Sequence, residues 1–386
     1  MDISYILNHL GEERANYFHA VSPPIIQSSN FTFEDIAAMR ESLKDELNQP
    51  FYTRGGNPTV TILRQKIAAL EKAEDALIFG SGSAAVAAAM LSQLRAGDHV
   101  VSVAKPYSWS NKLMTRFLER YGVSHTYIDG TDEQNYEKAI QPNTRVLFLE
   151  SPNSLTFELQ NIPAVVAIAK RHNCITIIDN SYASPYYQNP IEMGVDIVVH
   201  SATKYLNGHS DAVVGVLCSS KAIVRQIFEN EYMTLGGIIS PNDAWLLLRG
   251  LRTLPIRMEQ CSKSAAQVVE YLASHPKVQR VLYPFSPDFP QYELARQQMR
   301  GCSSLFSFYL AASDLAAVER FCNALRYFLL ACSWGGHESL IFPSCVLYTS
   351  ENYQSTGQGW NMVRMYVGLE SPDVLIADLA QALEQM

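Results

Sequence analysis

With 386 residues, 47% of them apolar and 18% charged, the chain has ample material for buried cores, little of the composition of disorder, and a length that predicts two domains. A net charge of −8 without any basic run excludes a broad nucleic-acid footprint. No stretch is apolar enough over the length a membrane span needs, and Asp2, Glu12, Glu13 and Arg14 interrupt the region where a signal peptide carries its apolar core.

The first 50 residues, with a Pro23-Pro24 turn and a helical pattern from Asp35 to Leu47, read as an arm that packs elsewhere, on another subunit. Residues 51–240 alternate short β-branched runs with helical patterns. The expected strands are Ala76–Phe79, His99–Val103, Arg145–Leu149, Ile175–Ile178, Asp196–His200 and Ala212–Leu217. Amphipathic helices are expected at Ser110–Tyr121 and Ile162–Arg171. Such alternation predicts an α/β fold with a mainly parallel sheet covered by helices on both faces. From Asn242 a helical stretch runs to about Leu272, with Pro255 marking a kink or break. Strands at Gln279–Leu282, Leu305–Tyr309 and Met362–Val367, and helices at Leu315–Leu325 and Pro372–Gln385, make residues 241–386 a smaller α+β domain. The seven cysteines are odd in number and form no CxxC pair, which predicts a reduced, cytoplasmic protein. The nine histidines show neither HExxH nor Cys/His spacing, so no metal is expected.

Several residues could carry chemistry. In Phe79-Gly80-Ser81-Gly82-Ser83-Ala84-Ala85 a strand runs through small residues into an Ala-rich helix. The free N–H groups of such a helix start, with its dipole, suit a phosphate, although an ordinary tight turn has the same composition. The run also satisfies a dinucleotide fingerprint, but the next strand ends in Ala104-Lys105-Pro106, without the acid that would hold a ribose. Asp179 closes its strand at the ligand edge of a parallel sheet. It is either a cap or turn residue, or the partner of a protonated pyridine nitrogen. Lys204, in Ser201-Ala202-Thr203-Lys204-Tyr205, follows a buried strand. Desolvation there would lower its pKa and make the amine nucleophilic, as Schiff-base chemistry requires. Ser201 and Thr203 could add hydroxyl bonds to a phosphate. Tyr107 is either a loop anchor or an aromatic that stacks on a planar ring. Arg364 is a charge inside an apolar strand, held by an internal salt bridge or poised as a clamp for a carboxylate.

Together these residues resemble the Cys/Met-metabolism family of pyridoxal-phosphate enzymes, the transsulfuration group with the aspartate-aminotransferase fold (fold type I). The resemblance runs from PIIQSSNF at Pro24–Phe31 to Arg364–Leu369. It rests on FYTRGGNPT at Phe51–Thr59, IIDNSYA at Ile177–Ala183, SATKYLNGHSDAVVGV at Ser201–Val216, WLLLRGLRTLPIRM at Trp245–Met258 and SWGGHESL at Ser333–Leu340. It implies that pyridoxal 5′-phosphate is bound as a Schiff base on Lys204, the catalytic amine. Asp179 would then pair with the pyridine nitrogen, and Tyr107 would stack on the ring and act beside Lys204. Gly82, Ser83, Ser201 and Thr203 would hold the phosphate. Tyr52 and Arg54 would reach the phosphate of a neighbouring subunit in a homotetramer with shared sites. Ser333, Trp334 and Arg364 would bind a small sulfur amino acid.

Within the family, SPNSLTFEL at Ser151–Leu159 and Ser333-Trp334-Gly335-Gly336 look like bacterial cystathionine β-lyase, whereas γ-acting relatives usually carry an NP pair and a leucine in place of Trp334. RGGNPT near Arg54 and GGIISPNDAWLLLRGL near Gly236 look more like γ-synthase and γ-lyase members, and Cys332 stands where some β-lyases have tyrosine. The expectation is β-elimination from cystathionine or a related substrate to pyruvate, ammonia and a thiol. The alternatives are a cystathionine γ-synthase, a cystathionine γ-lyase or a methionine γ-lyase. A reading from a different class is a non-catalytic protein that kept the cofactor fold. Turnover of any sulfur amino acid separates the two classes.

Overall fold

The computed structural model describes residues 1–347 and 359–386. Seven strands form the larger sheet: β1 (Asp75–Phe79), β2 (His99–Val103), β3 (Ser124–Ile128), β4 (Thr144–Glu150), β5 (Ile175–Asp179), β6 (Ile197–Ser201) and β7 (Gly215–Ser219). Their order is β1-β7-β6-β5-β4-β2-β3. The five strands from β6 to β3 run parallel, and β7 lies antiparallel to both of its neighbours.

The strands read as near-continuous apolar runs because both faces are covered. Alternate residues point to opposite faces. Val101, Leu147, Ile178 and Val198 join one buried cluster, while Val100, Val146, Ile177 and Ile197 join the other. The Pro58–Glu71 and Ile162–Arg171 helices cover the first face, and the Ala-rich Gly82–Gln93 helix covers the second. This layering aligns the carboxyl ends of β2, β4, β5 and β6 along one edge, where open α/β sheets hold ligands.

A second sheet is built from β8 (Val278–Leu282), β9 (Leu305–Leu310), β10 (Leu329–Leu330), β11 (Leu340–Pro343) and β12 (Met362–Tyr366), in the order β10-β11-β12-β9-β8. Phe306 and Val363 of this sheet share a cluster with Val268 of the Leu254–Ser274 helix and Leu379 of the Pro372–Glu384 helix. The expected break near Pro255 is present: one helix ends at Leu251 and the next begins at Leu254. Pro255 sits in the first turn of the second helix, where a missing N–H leaves no bond unmade.

Three local readings change. The helix expected over Ser110–Tyr121 is a short helix at Ser108–Lys112, followed by a π turn at Leu113–Phe117 and a 3₁₀ turn at Leu118–Tyr121. The strand expected at Ala212–Leu217 starts only at Gly215, because the main chain of Val214 is already bonded to Thr203. The edge strand β3 was not expected, and its Ser124-His125-Thr126-Tyr127-Ile128 sequence has no residue buried on either face.

The N-terminal segment docks on its own chain. Ile6 and Leu7 enter the main core, and the Lys66 ammonium donates to their carbonyl oxygens at 2.9 and 3.1 Å. Lys66 also pairs with Glu12 at 3.1 Å, both side chains being 1% exposed, and Arg14 and Arg252 lie 3.1 and 3.5 Å from the same carboxylate. The Ile36–Leu43 helix, by contrast, has no buried residue and leaves Ile36, Met39 and Leu43 exposed. Among the described residues no helix is long and apolar enough to cross a membrane.

Removing one partner of a buried pair strands the other charge away from water. Glu12→Ala is expected to destabilise the fold by about 3 kcal/mol or more, read as a lower urea midpoint. An unchanged midpoint would show that the Lys66–Glu12 pair does not hold the N-terminal segment.

Candidate active site

A cavity of about 290 Å³ opens at the carboxyl edge of the larger sheet, where it meets the second one. At one end, Ser81 caps the Gly82–Gln93 helix by accepting from the Ala84 N–H at 3.1 Å, leaving the first turn directed at the cavity. A Cβ on Gly82 would lie 2.9 Å from Cβ of Ser201, so only glycine lets the helix start against β6. Ser83, Ser201 and Thr203 line the same end. The Thr203 hydroxyl is engaged with the main chain of Val214, accepting from its N–H at 2.9 Å. The Ser201 N–H donates to Ser181 Oγ at 2.6 Å.

Lys204 projects into the middle of the cavity and donates from Nζ to Ser333 Oγ at 2.7 Å. Its Nζ also lies 5.4 Å from the ring centre of Trp334. Gly335, at φ +91°, packs its α-carbon face on the Lys204 main chain, and a Cβ there would meet Lys204 Cα and C at 2.8 Å. Burial first, then the neighbouring Arg364 guanidinium, push the lysine pKa down to about 8. The amine is therefore neutral a good two pH units below an ordinary lysine.

Two carboxyl groups stand at adjacent strand ends, Glu150 on β4 paired in register with Asp179 on β5. Asp179 accepts the Ser181 N–H at 2.9 Å, and burial raises its pKa. Glu150 accepts the Tyr107 N–H at 2.7 Å and the Ser154 N–H at 2.8 Å, and it also bonds the Ser154 hydroxyl. Burial, then the charge of Asp179, push it up to about 7. Tyr107 lines the cavity with its ring partly exposed. Arg364 on β12 enters from the second sheet. It donates to the Cys332 carbonyl at 2.8 Å, and burial lowers its pKa to about 10. Among the described residues it forms no ion pair, so the internal salt bridge considered from the sequence is not found among them.

The chain places Lys204, Asp179, Tyr107, Gly82, Ser83, Ser201, Thr203, Ser333, Trp334 and Arg364 around one cavity. Tyr52 and Arg54 are outside it. Both are exposed, and the Arg54 guanidinium lies 5.6 Å from the Tyr52 ring centre. Among the described residues no cluster of His, Cys, Asp and Glu could hold a metal.

A family model for Cys/Met metabolism PLP-dependent (pyridoxal-phosphate-dependent) enzymes matches residues 5–384. The chain belongs to this family. An L-methionine gamma-lyase of Treponema denticola is 37% identical over 378 residues, 96% of this chain and 94% of that protein. A cystathionine gamma-lyase of Bacillus subtilis is 36% identical over 381 residues, covering 97% of each. The cystathionine beta-lyase MetC of the same organism is 35% identical over 372 residues, 95% of this chain and 92% of that protein. The crystal structure of metB from Corynebacterium glutamicum has the same fold, with a TM-score of 0.92 and 32% identity over 100% of this chain and 98% of that one. The chain is thus a pyridoxal-phosphate-dependent lyase with the fold type I architecture expected from its motifs.

The residues present fit that cofactor. The Gly82 cradle suits a phosphate, Lys204 offers a partly neutral amine for an aldehyde, and Asp179 is a half-buried carboxylate that forms no ion pair among the described residues. A protonated pyridine nitrogen would supply that cation and return the group to its charged form. The sequence reading passed over Glu150, Ser81 and Ser181. Glu150 carries the same signal as Asp179, a carboxylate closing a buried strand. The two serines were hidden because their bonds are to main chain.

Labelling of Lys204 by an amine-reactive reagent in cofactor-free protein is expected to turn on with a midpoint near pH 8. Arg364→Ala removes a repelling cation, so the midpoint moves up. A midpoint near the ordinary lysine value in the parent protein would contradict the desolvation argument.

Proposed function

We propose that the enzyme is a carbon–sulfur lyase of the cystathionine β-lyase type, cleaving cystathionine or a related sulfur amino acid to pyruvate, ammonia and a thiol. The observation that carries the reading is the placement of the Lys204 amine between Ser333 Oγ and the Trp334 ring. Bound pyridoxal phosphate supplies the electron sink for the pair left at Cα when its proton is removed. Lys204 would bond the cofactor's aldehyde carbon. Asp179 would hold the ring nitrogen, Tyr107 would stack on the ring, and Gly82, Ser83, Ser201 and Thr203 would hold the phosphate.

Arg364 would clamp the substrate α-carboxylate through its guanidinium fork, with Ser333 as a hydroxyl partner. Neutral Lys204, displaced by the substrate amine, is then placed to take the Cα proton as a general base. A β-elimination needs one proton moved at Cα before the thiolate leaves. A γ-elimination needs a further proton taken from Cβ, so its base must travel. Ser333 bonds the amine and Trp334 fences it, and Trp334 is itself packed on Tyr205 with ring centres 5.4 Å apart. These restraints favour the shorter reach and hence β-cleavage. Overall similarity to relatives named as methionine and cystathionine gamma-lyases supports γ-cleavage as the second reading.

We further infer that residues 1–50, although anchored on their own chain through Ile6, Leu7 and Glu12, form an arm whose later part contacts a neighbouring subunit, and that Tyr52 and Arg54 serve that subunit's site in a homotetramer. The exposed apolar face of the Ile36–Leu43 helix and the position of both side chains outside their own cavity support this. A cytoplasmic location is proposed from the free cysteines alone, five of the seven being buried.

Incubation with cystathionine is expected to give pyruvate with homocysteine; 2-oxobutyrate with cysteine as the sole products would overturn the β reading in favour of the γ one. Borohydride reduction of the loaded enzyme should fix the cofactor on Lys204, seen by mass spectrometry, and Lys204→Ala should abolish turnover. Arg54→Ala should weaken cofactor retention, and mixing it with the Lys204→Ala protein should restore part of the activity. Confirmed hybrids that stay inactive would count against shared sites.

A further inference from the structure

Among the described residues, Glu150 is the one carboxylate at the cavity that the mechanism above does not use. It is 3% exposed, lines the cavity and ends β4 beside Asp179. Its two oxygens face in different directions. Oε2 accepts the main-chain N–H of Tyr107 at 2.7 Å. Oε1 accepts the main-chain N–H of Ser154 at 2.8 Å and the Ser154 hydroxyl.

One side chain thus ties two loops, from opposite sides, to the end of one strand. The loops are laced together a second time, since Asn153 Nδ2 donates to the Lys105 carbonyl at 2.9 Å. Lys105 itself sits at φ +59°, a conformation that a lysine holds only when its surroundings enforce it. Among the described residues the Tyr107 carbonyl is bonded only within its own turn, accepting the Asn111 N–H at 2.9 Å. Tyr107 begins the short Ser108–Lys112 helix without a side-chain cap, and its ring is exposed toward the cavity.

We propose that Glu150 is a positioning residue that clamps the Tyr107 loop and the Ser154 turn to the sheet edge, and so fixes the aromatic wall of the cavity. The inference rests on the reading of Tyr107 as the ring that stacks on the cofactor. It also explains why a second acid is tolerated beside Asp179. The site needs an acceptor with two oxygens pointing apart, and a carboxyl group has that shape. Glutamine lacks it, because its amide nitrogen, whichever way it is turned, would face a main-chain N–H.

The substitution Glu150→Gln separates this role from a general structural one. It breaks one arm of the clamp while removing the like charge next to Asp179. The loaded variant is therefore expected to fold and to bind its cofactor, with only a modest drop in melting temperature, since the unmatched main-chain N–H is partly offset by removal of the like charge. Amide exchange over residues 104–112 should accelerate, the visible circular dichroism of the bound cofactor should shrink, and kcat on cystathionine should fall by roughly 10- to 100-fold with KM little changed, as misplacement of a positioned group does.

Unchanged exchange in that segment would overturn the proposal, as would faster exchange with undisturbed circular dichroism and kcat. If Glu150→Gln does not fold, Glu150→Asp, which keeps both oxygens on a shorter stem, should show the same changes in smaller measure, and parent-like behaviour there would overturn it equally. Failure of the Tyr107 reading would look different: exchange would accelerate in Glu150→Gln, while Tyr107→Leu would leave the cofactor's circular dichroism intact.

Discussion

The hydrogen bond from Lys204 Nζ to Ser333 Oγ joins residues from the two sheets, and the chemistry proposed for the site depends on that junction. Lys204 comes from the turn after β6, and Ser333 from the segment between β10 and β11. The two are brought together because Gly335 lies directly on the Lys204 main chain, at a spacing that admits no Cβ. The cavity is therefore the seam between two separately formed sheets. Its amine is held from the second sheet's side, while the Gly82 helix start and the carboxylates come from the first. A change in how the sheets meet would move the Lys204 amine relative to the rest of the cavity, without altering either sheet.

The same seam sets the charge balance. Lys204 and Arg364 are two cations that burial disfavours, and Glu150 and Asp179 are two acids that burial disfavours. None of the four makes an ion pair with another. Each is bonded instead to a hydroxyl, a main-chain N–H or a carbonyl. Charges left unpaired in a partly dry space keep their capacity to bind something that arrives charged. A cofactor with an anionic and a cationic end, and a substrate with a carboxylate, are partners of that kind. A buried Arg364–Asp179 pair would have satisfied the protein and left neither group free to take a ligand.

Much of this was legible in the sequence wherever a local pattern carried the signal. β2 matches its expected bounds, and the Ile162–Arg171 helix does too, because an apolar run and a capped amphipathic stretch are short-range features. Asp179 shows how a bland and a functional reading coexist: it does accept a turn N–H from Ser181, as a turn aspartate would, and it lines the cavity as well. Features that depend on neighbours distant in the chain were not legible. Edge strand β3 exists because β2 offers it a ladder, not because its own alternation predicts it. The Lys66–Glu12 pair docks the N-terminal segment across more than fifty residues of chain. Glu150 was missed although its strand-end position matches that of Asp179, since what distinguishes it is contact with two loops, one of them more than forty residues away.

Why the type of elimination is harder to read than the family follows from the same geometry. Relatives named as gamma-lyases and as a beta-lyase resemble this chain to nearly the same degree, 37%, 36% and 35%. Most of that identity serves the shared scaffold. It specifies the sheets, the cradle at Gly82 and the lysine, and these the two reactions require equally. The reactions part at a second proton, one carbon further along the substrate, a step of about 1.5 Å in a carbon chain. Only groups that limit the travel of the Lys204 amine can act on so small a distance. On the reading proposed above, those groups are Ser333, which bonds the amine, Trp334, whose ring stands over it, and Tyr205, which backs that ring. Reaction choice would then be a property of a few side chains at the seam, and the rest of the molecule would constrain it only by holding the two sheets at a fixed separation.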